Sequence, residues 1–162
     1  MKTLLFTALA TLALTFTASS SARADLAMRA FPGYDAPGND IDSFLSGTQH
    51  NCETSCVERG NCTAASFEPA NGRCWLKTGL PQNTHNTHSV LLIKIVAGRD
   101  GVDYPGGDYR SFQATNWQNC SRSCFIEAQC KAFAYDKNTQ TCWLKNAVVD
   151  ASFESNSIAG KK

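Results

Sequence analysis

The cysteine spacing is the feature that most constrains how this chain can fold. Eight cysteines form two sets with the pattern C-x3-C-x5-C-x11-C, and each cysteine of the second set lies 68 residues after its counterpart in the first. The first set is Cys52, Cys56, Cys62 and Cys74, and the second is Cys120, Cys124, Cys130 and Cys142. Because the two sets align without a gap, the chain is predicted to be a tandem repeat of two small domains.

The N-terminal segment has the layout of a secretory signal peptide. A single basic residue, Lys2, precedes an apolar stretch over residues 4–16, and a serine-rich spacer leads to Ala22-Arg23-Ala24. This pattern predicts a signal peptide over residues 1–24 that is cleaved after Ala24. The apolar stretch is too short for a stable membrane span, and no later segment reaches the length that a membrane helix needs. We therefore expect a secreted or extracellular protein, or a periplasmic or cell-wall protein in a bacterium.

The charge balance argues against nucleic acid and anionic lipid as partners. The chain has 15 basic and 14 acidic side chains, and removal of Lys2 and Arg23 with the signal peptide leaves about one net negative charge. Neither repeat has a long run of one sign, so the electrostatic footprint of a nucleic-acid-binding protein is missing.

Export to an oxidising compartment favours disulfides over zinc for these cysteines. The first two cysteines of each set are four residues apart on a predicted helix, so both lie on one face and each has to reach another segment. The second lies near the helix end, six residues before the third, which favours the pairs Cys56–Cys62 and Cys124–Cys130. The remaining pairs are then Cys52–Cys74 and Cys120–Cys142.

Each repeat is predicted to contain one helix followed by a β-hairpin. Thr48 and Asn116 are good N-cap residues before segments of about eleven residues. Strand-like segments follow, with Asn71-Gly72 as the turn between two of them. Residues 90–95 predict a buried closing strand, whereas the counterpart over residues 157–162 predicts a strand that is shortened, shifted to residues 151–153, or absent. The predicted domains are residues 29–97 and 98–160, joined by a short linker at residues 97–101 that favours a shared interface.

Two further motifs repeat with the same spacing. The pattern G-x-D-x-P-G-x-D-x-x-S-F occurs at residues 33–44 and 101–112, and C-W-L-K occurs at residues 74–77 and 142–145. Together with the cysteine spacing, these motifs resemble the short PAN/apple-like domain family over nearly the whole chain after residue 24. The resemblance implies an α+β fold in which each domain packs one helix on a curved antiparallel β-sheet. It also implies the nested disulfide pairing given above. Full apple domains add a third bridge between their termini, for which neither repeat has cysteines.

The family implies a non-catalytic adhesive module that binds carbohydrate or protein. The sequence gives no support for an enzyme, because disulfides use every cysteine and no G-x-S-x-G motif is present. The three histidines have no counterparts in the second repeat, and His85-x-x-His88 is interpreted as part of a polar loop. Asp40 and Asp108 are interpreted as turn residues rather than calcium ligands. We expect no metal and no cofactor.

Ligand contact is expected from residues near the turns that offer an aromatic face or a polar tip. Sugars stack on flat aromatic faces, and Tyr and Trp can also hydrogen-bond. The candidates are Tyr34, Lys77, Tyr104, Tyr109, Arg110 and Trp117. Trp75 and Trp143 are interpreted instead as packing anchors. N-glycosylation of Asn61 and Asn119 is not expected, because a disulfide cysteine follows each of them.

The sequence favours a secreted, non-catalytic binding protein that holds carbohydrate or a glycosylated surface through two modules, with avidity from the duplication. The alternative hypothesis is a protein-binding adhesion or matrix component.

Overall fold

The computed structural model describes residues 25–79 and 82–162. The predicted signal peptide lies outside these residues. Within the described ranges, neither of the helices is long and apolar enough to cross a membrane.

The first domain is a five-stranded antiparallel sheet with one helix. Its strands lie in the order β1-β5-β3-β4-β2 across the sheet, so the long closing strand β5 pairs with both β1 and β3. The elements in chain order are β1 (Leu26–Asp35), β2 (Asp40–Leu45), α1 (Gln49–Glu58), β3 (Ala64–Glu68), β4 (Arg73–Lys77) and β5 (Thr84–Val96).

The second domain repeats this topology, with strand order β6-β10-β8-β9-β7. Its elements are β6 (Arg99–Asp103), β7 (Asp108–Gln113), α2 (Trp117–Ile126), β8 (Ala132–Asp136), β9 (Thr141–Lys145) and β10 (Ser152–Lys161). The α+β fold with one helix on an antiparallel sheet in each domain is therefore confirmed.

Both predicted helix caps are present. The Thr48 hydroxyl accepts a hydrogen bond from the Asn51 amide at 3.2 Å, and the Asn116 side chain accepts one from the Asn119 amide at 3.0 Å. Each bond satisfies an amide that the first helical turn leaves without a partner.

Two disulfides in each domain join the helix to the rest of that domain. Cys52–Cys74 and Cys120–Cys142 connect the first turn of the helix to the inner strand β4 or β9. Cys56–Cys62 and Cys124–Cys130 connect the last turn to the following segment. These are the pairs that the spacing favours, and no free cysteine remains among the described residues.

The second closing strand is present over Ser152–Lys161, and its ten residues against thirteen in β5 make it shortened, rather than shifted to residues 151–153 or absent. Ala159 of β10 pairs with Ala134, just as Leu91 of β5 pairs with Ser66. Each residue of the second pair lies 68 positions before its counterpart in the first pair. Small residues replace the branched ones of β5 here, which hides the strand pattern. Gly160 is needed because a Cβ atom there would clash with the Ala97 carbonyl oxygen.

Each sheet buries one face beneath its helix. Leu76 and Leu144 are fully buried on this face beside the disulfides. Trp75 and Trp143 point to the opposite face, as strand alternation requires, and are only partly buried. The side predicted for the tryptophans is correct, but the core beneath the helix is anchored by the neighbouring leucines.

The two domains share an interface, as the short linker predicts. Helix α2 packs on the end of β5 as well as on its own sheet. The Ser121 hydroxyl donates to the Val96 carbonyl oxygen, and the Arg122 guanidinium donates to the Lys94 carbonyl oxygen at 2.7 Å. Burial lowers the pKa of Arg122 to about 10.

Candidate functional site

A hollow of about 370 Å³ lies on the face of the second sheet that is opposite α2. Trp143 of β9 lines it beside Ala134, whose small side chain leaves space over the neighbouring strand. The end of β6 and the start of β7 line it with Asp103 and Asp108, and β10 contributes Glu154 and Asn156. The hollow therefore combines one aromatic side chain with several hydrogen-bonding groups, as small-ligand sites commonly do.

Alternation along β9 places Trp143 and Lys145 on this face. The Lys145 side chain is 3% exposed, and its ammonium nitrogen lies 2.7 Å from a carboxylate oxygen of Asp108 and 3.9 Å from one of Asp103. A buried ammonium is stable only with such partners. The pair thus fixes the segment between β6 and β7 against the sheet and forms part of the hollow.

Asp136 at the end of β8 is held in place by its own turn. One carboxylate oxygen accepts hydrogen bonds from the amides of Thr139 at 2.9 Å and Asn138 at 2.7 Å. These bonds, the Thr139 amide first, lower the pKa of Asp136, so the side chain stays ionised in mildly acidic solution. Glu154 accepts from the Asn156 amide at 3.3 Å in a similar local contact.

The first domain has the same lysine pair. The Lys77 ammonium nitrogen lies 2.5 Å from a carboxylate oxygen of Asp40, and its side chain is 4% exposed. Asp40 and Asp108 are thus lysine partners, and no group of three or more potential metal-binding side chains occurs in the described ranges. Lys77 was a ligand candidate from the sequence, and the structure places it in this buried pair.

The other ligand candidates lie at several separate places. Tyr104 is 5% exposed and packs against Ala132, Ala134 and Ala159. Trp117 stacks on Phe133 with ring centroids 6.4 Å apart and lies against Gly98 at the linker. These two side chains contribute to packing.

Tyr34, Tyr109 and Arg110 keep accessible surface. Tyr34 is 41% exposed and meets His85 edge to face, with ring centroids 5.8 Å apart. That histidine lies in β5 rather than in the polar loop expected from the sequence.

Tyr109 and Arg110 both bind Glu127 at the end of α2. Burial, and then the hydrogen bond to Glu127, raise the pKa of Tyr109 to about 12. The structure therefore brings this pair together and leaves Tyr34 in the other domain. None of the six candidates lines the hollow.

Trp143, Asp136 and Glu154 are the site residues that sequence reasoning missed. The sequence did carry a signal for Trp143: strand alternation turns its side chain away from the bridged Cys142, and this predicted the correct face of the sheet. Asp136 and Glu154 carry no motif, and they reach the hollow only because β8 and β10 are neighbours in the sheet.

Comparison with known proteins identifies two matched regions. The PAN domain family model matches residues 34–77 and 102–145, which are 68 residues apart at both ends. Two G-type lectin S-receptor-like serine/threonine-protein kinases of Oryza sativa subsp. indica are 40% identical over 45 residues and 32% identical over 66 residues. These alignments cover 28% and 40% of this chain but only 6% and 8% of the kinases.

Two further similarities extend over more of the chain. An uncharacterized protein of Acanthamoeba polyphaga mimivirus is 27% identical over 94 residues, which is 49% of this chain and 26% of that protein. The solution structure of the two N-terminal apple domains of Toxoplasma gondii microneme protein 4 aligns with 86% of this chain and 87% of its own, at 16% identity and a TM-score of 0.42.

Proposed function

This chain belongs to the PAN domain family, and from that premise we propose that it is a secreted, non-catalytic protein that binds carbohydrate through its PAN modules. PAN and apple domains bind proteins or carbohydrates and are typically non-catalytic. Four buried disulfides in two small domains support an oxidising location outside the cytosol.

The hollow beside Trp143 is the observation that carries the carbohydrate proposal. A sugar ring presents C–H groups on its faces, which pack on an aromatic side chain, and hydroxyl groups around its edge, which need acceptors. The hollow supplies Trp143 for the face, and the carboxylates of Asp136 and Glu154 for the hydroxyls. Its walls come from paired strands and an ion-paired turn, so little ordering is required on binding.

The test measures binding of the purified, oxidised chain to a glycan array and to insoluble polysaccharides. We expect saturable binding that free sugar competes away and that Trp143→Ala weakens by about tenfold or more, the loss of one stacking contact. Trp75→Ala removes the equivalent tryptophan from the first domain, so its effect shows how much that domain contributes to binding. Asp136→Asn is a second variant that keeps the turn acceptor, and unchanged thermal unfolding shows that each variant is folded.

Binding that survives both Trp143→Ala and Asp136→Asn would move the site elsewhere. Tyr109, Arg110 and Tyr34 remain predicted sugar contacts, and Tyr109→Phe and Arg110→Gln belong in the same assay. Isolated single domains that bind as tightly as the pair would exclude the proposed avidity.

A protein partner is the second candidate, and one observation favours it. Phe153 is 86% exposed on β10, and Val148 and Val149 are exposed in the loop before it. Large exposed apolar side chains are typical of protein interaction surfaces. If this surface binds a protein, Phe153→Ser abolishes binding, and removal of the partner's glycans leaves binding unchanged.

A further inference from the structure

The hollow beside Trp143 carries more negative than positive charge. Asp103, Asp108, Asp136 and Glu154 line it, and the one cation among its lining residues is Lys145. Lys145 is already paired with Asp108 at 2.7 Å. Over residues 25–79 and 82–162, no Lys, Arg or His side chain lies within ion-pair distance of Asp136 or Glu154. The charge of these two carboxylates is therefore available to a ligand.

The first domain places a cation of its own beside the equivalent tryptophan. The guanidinium carbon of Arg73 lies 6.0 Å from the ring centroid of Trp75, within the range of a cation–π contact. Arg73 is two residues before Trp75 on β4, so both side chains lie on the same face of the sheet. The residue 68 positions later is Thr141, which is uncharged, and its hydroxyl accepts a hydrogen bond from Gln113 at 3.1 Å.

The two domains thus differ in charge beside a similarly placed tryptophan, because the first has Arg73 and Asn86 where the second has Thr141 and Glu154. Both have a tryptophan, a buried lysine paired with an aspartate, and an acidic residue at the end of the neighbouring strand, Glu68 or Asp136. The first domain supplies a guanidinium to this environment. In the second domain, no cation lies over Trp143 among the described residues.

We propose that the hollow beside Trp143 selects an amino sugar, a saccharide with a free, protonated amine, over its neutral counterparts. This inference rests on the proposed carbohydrate-binding function. The ammonium group lies against the Trp143 ring, as the Arg73 guanidinium lies against the Trp75 ring in the first domain, and it meets the carboxylates of the hollow, while the sugar ring packs on Trp143. An ammonium group in contact with a carboxylate and an aromatic face gains both a charge-assisted hydrogen bond and a cation–π contact.

The distribution of acceptors favours a sugar over an arginine side chain from a protein. A guanidinium presents its donors in one planar fork. The acceptors of the hollow come from three separate segments, through Asp103, Asp136 and Glu154, and the space of about 370 Å³ is large enough for a small ligand. Hydroxyl and ammonium donors around a sugar ring match acceptors that are spread in this way.

Calorimetric titration with an oligomer of glucosamine, and with the N-acetylated oligomer of the same length and linkage, tests the selection. Acetylation removes the charge and keeps the ring, so we expect the amine form to bind about tenfold or more tightly in mildly acidic buffer. We also expect its affinity to fall as salt is added, because exposed charges are screened.

Equal binding of the two oligomers would overturn the charge selection and leave the carbohydrate function intact. Absence of binding to either oligomer, and to the glycan array, would overturn both. An arginine-rich peptide that binds while both oligomers fail would overturn the amino-sugar proposal in favour of a protein ligand.

Thr141→Arg provides the sharpest variant, because it gives the second domain the arginine that the first domain has. We expect it to weaken glucosamine-oligomer binding by about tenfold while thermal unfolding stays unchanged. Arg73→Thr is the matched exchange in the first domain, and it leaves binding in the second domain unchanged. Glu154→Gln should reduce the preference for the amine form without abolishing sugar binding. If Thr141→Arg preferred the glucosamine oligomer over the N-acetylated oligomer as strongly as the wild type does, the proposal would be overturned.

Discussion

The Arg59 guanidinium lies 2.7 Å from a carboxylate oxygen of Asp42. At the two corresponding positions, the second domain has the same contact with the charges exchanged. There, Arg110 on β7 pairs with Glu127 at the end of α2. Asp42 corresponds to Arg110 and Arg59 to Glu127 under the 68-residue shift. The repeat has therefore kept the geometry of this contact between strand and helix end while reversing the sign of both partners.

A double charge exchange in the first domain tests whether geometry alone is required. Asp42→Arg and Arg59→Glu should each lower stability slightly, because each places two like charges together. The double variant should recover most of the loss, since it recreates the arrangement of the second domain. Denaturant unfolding of the wild type, the two single variants and the double variant gives the coupling free energy between the two residues. If the losses in unfolding free energy of the single variants simply add in the double variant, the ion pair contributes nothing to stability.

Much of the fold could be predicted because disulfide spacing, caps and turns are local signals. The cysteine repeat set the number of domains, and the N-caps Thr48 and Asn116 marked the helix starts. The closing strand β10 could not be recognised, because Ala159 and Gly160 lack the branched side chains that typify strands. At Gly160 the small size is imposed by the neighbouring backbone at Ala97, which is distant in sequence.

The site was less predictable than the fold for a related reason. Trp143 could be placed on the correct face by alternation, but whether that face was packed or open depended on its neighbours in the sheet. Ala134 leaves the space, and Thr141 leaves the ring without the cation that Arg73 provides for Trp75. Such differences between repeats become meaningful only when the strand order is known.

The two kinds of disulfide should differ in their contribution to stability. Cys120–Cys142 closes a loop with a sequence separation of 22, whereas Cys124–Cys130 closes one of 6. In the chain-entropy model the longer loop contributes about 3 kcal/mol and the shorter about 2 kcal/mol. We expect the Cys→Ala double variant of the longer bridge to lose more unfolding free energy, as measured in urea. A larger loss for the shorter bridge would show that strain or cavities outweigh loop entropy.

Lys94 should make stability depend on alkaline pH. Its side chain is 1% exposed, and its ammonium nitrogen donates to the Arg59 carbonyl oxygen at 3.0 Å, at the end of α1. Burial lowers the pKa of Lys94 to about 8 from its ordinary value of 10.5. Between these two values the unfolded chain binds more protons than the folded chain, so stability rises with pH.

The expected gain in unfolding free energy between pH 8 and 10.5 is roughly 2–3 kcal/mol, since a tenfold change in proton affinity corresponds to about 1.4 kcal/mol. Lys94→Met removes the titrating group at similar volume. The pH-dependent difference in unfolding free energy between the two proteins isolates Lys94 from other groups that titrate there. If the unfolding free energy changed with pH in the same way in the wild type and in Lys94→Met, a lowered pKa of Lys94 would be excluded.

Gly98 should be required for the contact between the linker and α2. A Cβ atom at this position would lie 2.8 Å from the Trp117 ring and 2.9 Å from the Ile158 side chain. Trp117 is itself stacked on Phe133, so the ring has little freedom to move. We therefore expect Gly98→Ala to cost about 1–3 kcal/mol, the typical cost of overpacking.

Gly60→Ala is the matched control for this substitution. No atom lies within 4 Å of a Cβ atom built at Gly60, so the alanine should be accommodated at little or no cost. Thermal unfolding gives the stability of both variants, and the near-ultraviolet circular dichroism of the tryptophans reports any displacement of Trp117. If Gly98→Ala matched Gly60→Ala in both measurements, the linker would be looser than this packing implies, because only a movable Trp117 could accept the added methyl group.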